Sequence, residues 1–196
     1  MRLSKTTYYG DFFIYAAIIL ALAITVWMQQ RWPLRLQWLG EFAIGMSIWT
    51  FLEYVLHRWV LHRVPYIAPM HDAHHRAPRD LLGTPTWLSV PLIWLIFFFP
   101  LWREGSFAAA SGLTAGVMTG FFWYGVLHHA AHHGRPRLLA TWFSNCTRRH
   151  ARHHYSKRSV NFGVTTAVWD HLFGTAEGTS RAVTPSPRRF QVTSRP

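Results

Sequence analysis

The stretch FFIYAAIILALAITVWM at 12–28 runs for seventeen residues without a charge. That is close to the ~20 residues a helix rising about 1.5 Å per residue needs to cross ~30 Å of hydrocarbon. Two further uncharged runs follow, WLSVPLIWLIFFFPLW at 87–102 and SFAAASGLTAGVMTGFFWYGVL at 106–127, separated only by REG. They read as a tight helical hairpin, with Pro91 and Pro100 able to kink or shorten its first arm, so a re-entrant hairpin stays open. A weaker segment, about Trp38 to His57, contains Glu41 and Glu53 but also the apolar run FAIGMSIWTFL. Arg2 and Lys5 before the first run would suit a secretory signal, yet no small-x-small cleavage site follows, which favours an uncleaved anchor.

These runs define an all-α integral membrane protein of about four transmembrane helices, with a cytosolic helical, histidine-rich cap. Residues 1–179 form one domain, and the Pro-, Ser- and Arg-rich tail at 180–196 is expected to be disordered. Trp27, Trp38, Trp87, Trp102 and Tyr124 lie near segment ends, where aromatic side chains form interfacial belts or simply pack. The small residues of AAASGLTAG suit close helix approach.

The formal charge of +12 invites a nucleic-acid reading, but topology accounts for it better. If four segments cross, only 29–37 and 103–105 lie on one side, and they hold three of the twenty Lys and Arg: Arg31, Arg35 and Arg103. The other seventeen share a side with both termini and the 57–86 loop, which the positive-inside rule places in the cytoplasm. No nucleic-acid partner is expected. Cys146 is the single cysteine and has no internal disulfide partner, so it reads as a small packed residue.

All thirteen histidines fall on that cytoplasmic side. HDAHH at 71–75 and HARHH at 150–154 repeat one spacing, and on a helix positions i, i+3 and i+4 share a face. Each run is therefore expected to present three imidazoles, His71, His74 and His75 or His150, His153 and His154, to one point. The pairs His128/His132 and His129/His133 have i, i+4 spacing. His57 and His62 differ, since five residues of regular helix leave them near 140° apart. Either the helix breaks there, or the two rings serve separate ions; the second choice suits a binuclear site. Imidazole suits iron, zinc and copper, and ten histidines at ligand spacing exceed what one ion takes, so two metal ions are the simpler solution.

The ordered set EYVLHRWVLHR, HDAHH, HHAAHHG, HARHH and NFGVTTAVWDHLFGT, spanning roughly Glu53 to Thr175, resembles the membrane-bound fatty acid hydroxylase and sterol desaturase superfamily. The resemblance implies a di-iron centre that uses O₂, with zinc able to replace iron. It also implies metal ligands at His57, His62, His71, His74, His75, His128, His132, His150, His153 and His154. His128/His132 are preferred over His129/His133 because the family places a ligand directly before a His-Gly pair, here His133-Gly134. His129 and His133 remain candidates for supporting the ligands, and His171 for a structural role. Glu53 and Asp170 are candidates for holding the second nitrogen of a bound histidine, the alternative being a buried ion pair with a nearby Arg. Asn161-Phe162-Gly163 reads as a turn.

The expected reaction is hydroxylation of a membrane lipid, a fatty acyl chain, sterol-like lipid or carotenoid, at an unactivated C–H bond. Desaturation uses the same centre and stays open. The chain has no dinucleotide fingerprint, haem-attachment motif or cysteine set, so electrons are expected from a separate donor protein. A metal-handling membrane protein is the alternative from another class. It is disfavoured because the histidines sit at segment ends, not near the bilayer midplane.

Overall fold

The computed structural model describes residues 2–29, 31–134, 140–156 and 158–177. Among these the regular structure is helical: α1 (Lys5–Gln29), α2 (Trp32–Val55), α3 (Ala68–Arg76), α4 (Thr86–Ile93), α5 (Phe99–Arg103), α6 (Phe107–His133), α7 (Ala140–Tyr155) and α8 (Val168–Leu172). Two stretches of π-helix extend this set, Leu56–Leu61 after α2 and Trp94–Phe98 between α4 and α5. The tail expected to be disordered lies outside the described residues.

Among the described residues, three helical stretches are long and apolar enough to cross a membrane: Lys5–Met28, Trp32–Leu61 and Thr86–Arg103. The second starts earlier and ends later than its apolar run suggested. Pro33 lies in its first turn, where a missing N–H costs nothing, and the helix runs on through the π segment. In the third, Pro91 and Pro100 do not interrupt the run. Pro91 lies inside α4, and Pro100 lies in the first turn of α5, just after the π segment, where a missing N–H is tolerated. Large apolar side chains such as Phe13, Leu20, Met28 and Leu95 point outward, as a lipid-facing surface requires. Trp27, Trp87 and Trp102 are exposed at segment ends, but Trp38 is packed, stacked on Phe42 at 5.2 Å between ring centres.

Helix α6 is the axis of the bundle. Ser106 caps its start by accepting from Ala109 N at 3.1 Å, after a turn in which Gly105 takes φ 93°. Its small face, Ala108 to Val117, is buried. Along that face α2 runs parallel to α6 at backbone contact: a Cβ added to Gly112 would stand 2.6 Å from Trp38 O, and one on Gly116 2.2 Å from Phe42 O. A Cβ on Gly45 would stand 2.2 Å from Leu113 O, so each helix approaches the other through a glycine. Helix α1 runs antiparallel to α6, with Val26 near Ala110 and Ala115 at one end and Tyr8 beside His129 at the other. Tyr15 OH donates to Ser89 Oγ at 2.7 Å, and Thr86 donates to Asp11, tying α1 to the start of α4. The C-terminal ends of α2 and α6 therefore lie at the same end of the bundle, and α3 and α7 are joined to that end.

Candidate metal centre

The ten histidines of the expected ligand set gather at that end, in two groups. Group A is His57, His62, His71, His75 and His153; group B is His74, His128, His132, His150 and His154. Within each group the five nitrogens lie within 4.8 Å of one another.

The HxxHH runs do not each deliver three rings to one point, as their spacing suggested. On a helix i+4 lies about 40° to one side of i and i+3 about 60° to the other, so those two diverge by about 100°. His71 and His75 therefore serve group A while His74 serves group B. The second run is inverted: His150 and His154 serve B and His153 serves A. Each group thus has the same composition, an i, i+4 pair from one run, the i+3 ring of the other, and a pair from the end of a long helix.

For His57 and His62 the first of the two alternatives holds, since regular α-helix gives way between them. They share group A instead of facing separate ions, with rings stacked at 5.3 Å. The cause is the π segment Leu56–Leu61 between them. At about 4.4 residues per turn, five residues come round to within about 50°. The wider turn converts an awkward spacing into a shared face.

The nitrogens that converge are Nε2. His71 Nε2 lies 3.1 Å from Nε2 of both His57 and His75, and His153 Nε2 lies 3.1 Å from His62 and 3.2 Å from His75. In group B, His150 Nε2 is 2.9 Å from His132 and 3.0 Å from His154, and His128 is 2.9 Å from His74. One proton can join two imidazoles, but it cannot satisfy five mutually facing nitrogens. A cation can: with metal–nitrogen bonds of about 2.1 Å, ligands at right angles stand about 3.0 Å apart. The donor set therefore fits one transition-metal ion in each group.

Burial reinforces this by keeping the rings neutral. Burial first, then neighbouring imidazoles, pushes His71 down to about 2. His74 and His153 are pushed down to about 3, His154 to about 2 and His62 to about 4, with burial the leading cause in each. An unfolded chain protonates histidine near 6.5, whereas these folded rings stay neutral well below that. The unfolded state thus binds more protons between about pH 6.5 and the folded values, and stability falls as pH drops through that window. Protons compete with metal in the same direction. The unfolding temperature and the bound metal are both expected to hold steady near pH 8 and to decline together below about pH 6.5. Values flat down to about pH 4 would contradict this account of the rings.

The supports behind the rings are backbone carbonyls, a correction to the expected carboxylate contacts. His57 Nδ1 pairs with Phe162 O at 2.6 Å, and His153 Nδ1 with Val160 O at 2.9 Å. Neither Glu53 nor Asp170 is bonded to an imidazole. Both are buried and accept from the N–H groups of the loop that carries those carbonyls. The expected turn at Asn161-Phe162-Gly163 is this loop, with Asn161 at φ 54°. The NFGVTT stretch stands out in the sequence, but nothing in it indicates that its main chain, not its side chains, meets the ligands.

His129 and His133 belong to neither group and do not stand behind the ligands. One position on from His128 and His132 turns them about 100° away. There the two rings stack at 4.5 Å, and His129 Nδ1 meets Tyr8 OH at 3.1 Å. His171 is exposed on α8 and likewise outside both groups.

An all-helical chain with three membrane-length helices and two five-histidine groups at one end has the form of a membrane-embedded metalloprotein. The sequence model of the fatty acid hydroxylase family matches residues 42–175, and the chain belongs to that family. It is 33% identical to a dihydroceramide fatty acyl 2-hydroxylase of Arabidopsis thaliana over 76% of this chain and 63% of that protein. It is also 33% identical to the fatty acid 2-hydroxylase of Rattus norvegicus, over 70% of this chain and 39% of that one. The chain thus spans under two thirds of these relatives' length. Its fold matches the visible hydroxylase domain of full-length scs7p with a TM-score of 0.70 at 22% identity, covering 90% of this chain and 69% of that one.

Proposed function

We propose that this protein is an O₂-dependent hydroxylase of a membrane acyl lipid, working with two metal ions, one in each histidine group. The observation that carries the reading is the paired five-nitrogen geometry at one end of an apolar bundle, in a chain of the fatty acid hydroxylase family. The relatives' names specify hydroxylation, which favours it over desaturation and points to carbon 2 of a fatty acyl chain as the position attacked.

Held by the ten histidines of the two groups, a pair of iron ions would supply O₂ activation and removal of hydrogen from an aliphatic C–H bond; overall, the substrate, O₂, two electrons and two protons give the alcohol and water. The chain's own task is to hold, orient and exclude water. Group A and group B rings touch, with His75 and His154 stacked at 4.2 Å, so both ions are held beside one reaction space. Leu127, Phe143 and Val164 form a buried apolar cluster with partly buried Trp123 and Tyr124, and Tyr124 stacks against His128 at 5.5 Å. That apolar floor keeps water from the carbon being oxidised. With α6 as a fourth crossing helix, the histidine end faces the cytoplasm, where a separate donor protein delivers the electrons.

The test is a comparison of lipids from membranes expressing the intact chain with those expressing His74→Ala plus His153→Ala. Acyl lipids carrying a 2-hydroxyl are expected with the intact chain alone. Identical lipid profiles would refute the assignment.

A further inference from the structure

The two histidine groups are braced differently. In group A the outward nitrogens of His57 and His153 meet carbonyls of one loop, residues 160–165. That loop is pinned throughout. Asp170 accepts from Phe162 N and Gly163 N, each at 2.8 Å, and Glu53 accepts from Val164 N, Thr165 N and Thr165 Oγ1. The Asp170 carboxylate is held in turn by Thr175 Oγ1 at 2.8 Å, which meets Tyr54 OH at 3.1 Å, and Arg58 donates to that hydroxyl at 2.6 Å. A bridge of side chains thus runs from α2 through the loop to two rings of group A.

Group B has no counterpart to this bridge among the described residues. The Nδ1 atoms of His74, His150 and His154 are buried there without a hydrogen-bond partner among those residues. An imidazole whose second N–H is tied to a carbonyl has a fixed tautomer and orientation and binds metal more strongly.

We propose that the two metal positions are unequal: the braced loop makes group A the tighter position, so metal fills A first and leaves B first. Asp170 and Glu53 are positioning residues for A. The inference rests on the two-ion reading above and is independent of which lipid is oxidised.

Purified, metal-stripped protein titrated with Co²⁺, followed by visible absorption and metal analysis, tests it. Two uptake phases are expected, separated by about 10–100-fold in affinity. His150→Ala should delete the weaker phase and keep the tighter. Asp170→Asn should weaken the tighter phase by about 10–100-fold and leave the weaker in place. Should Asp170→Asn lose its cooperative unfolding transition, Thr175→Val leaves the carboxylate in place, removes the hydroxyl that links it to Tyr54, and is expected to shift the same phase by a smaller factor. A single phase taking up two equal ions in the intact chain, or a Thr175→Val or Asp170→Asn effect on the phase that His150→Ala deletes, overturns the proposal. A total of one ion per chain would instead defeat the two-ion reading itself.

Discussion

Gly116→Val is expected to abolish assembly of the bundle. At this position α2 and α6 meet backbone to backbone, and the first added carbon would stand 2.2 Å from Phe42 O and 2.9 Å from Met46 N. Neither atom belongs to a side chain that can swing aside, so the helices must separate. Overpacking a tight interior costs about 1–3 kcal/mol where side chains can adjust, and the cost here is at or beyond the upper end of that range. Within a bilayer no hydrophobic force draws helices together, so lost close packing has no substitute. The matched controls are Gly10→Val and Gly40→Val, where an added Cβ meets nothing within 4 Å. Monodisperse, cooperatively unfolding protein should be recovered from both controls and not from Gly116→Val. Equal recovery and equal unfolding temperatures across all three would show that α2 and α6 do not cross as described.

Substituting a single central histidine should stop turnover. His71 Nε2 faces two other nitrogens of group A, as His75 and His153 also do, and His150 Nε2 faces two of group B, so each ring is a hub within its group. Removing one hub leaves four rings around a lost corner, and under the proposal that two ions serve one reaction space, loss at either group suffices. His71→Ala and His150→Ala are each expected to take 2-hydroxylated product to background, a fall of at least about 100-fold by analogy with other residues that act as a unit. His129→Ala, His133→Ala and His171→Ala lie outside both groups and should retain product. Substantial product from either hub variant would show that its group is not needed for the reaction.

Much of this arrangement is legible in the amino-acid sequence. The apolar runs announce the spanning helices because their length and lack of charge are themselves the physical requirement. The HxxHH and HxxxH spacings mark candidate metal ligands, and the order of the segments sets all of them at or beyond segment ends. What the spacings leave hidden is how rings are shared between ions. Whether His74 joins His71 depends on a second helix, α7, arriving with the inverse arrangement. The pairing of His57 with His62 depends on a π turn, and helical periodicity arguments assume 3.6 residues per turn. The roles of Glu53 and Asp170 are hidden for a different reason. Their partners are main-chain N–H groups, which every residue but proline carries, so residue type does not mark them. Even the small face of α6 reads only as close packing; that its glycines meet the backbone of α2 depends on Gly45, a residue unremarkable by itself.

The central claim is that each group holds its own ion, and a metal count per chain tests it most directly. Purified protein loaded to saturation is expected to hold two ions per chain, and His71→Ala and His150→Ala one each, with both variants still unfolding cooperatively. A saturated count of one in the intact chain, or a count that either substitution leaves at two, would contradict it.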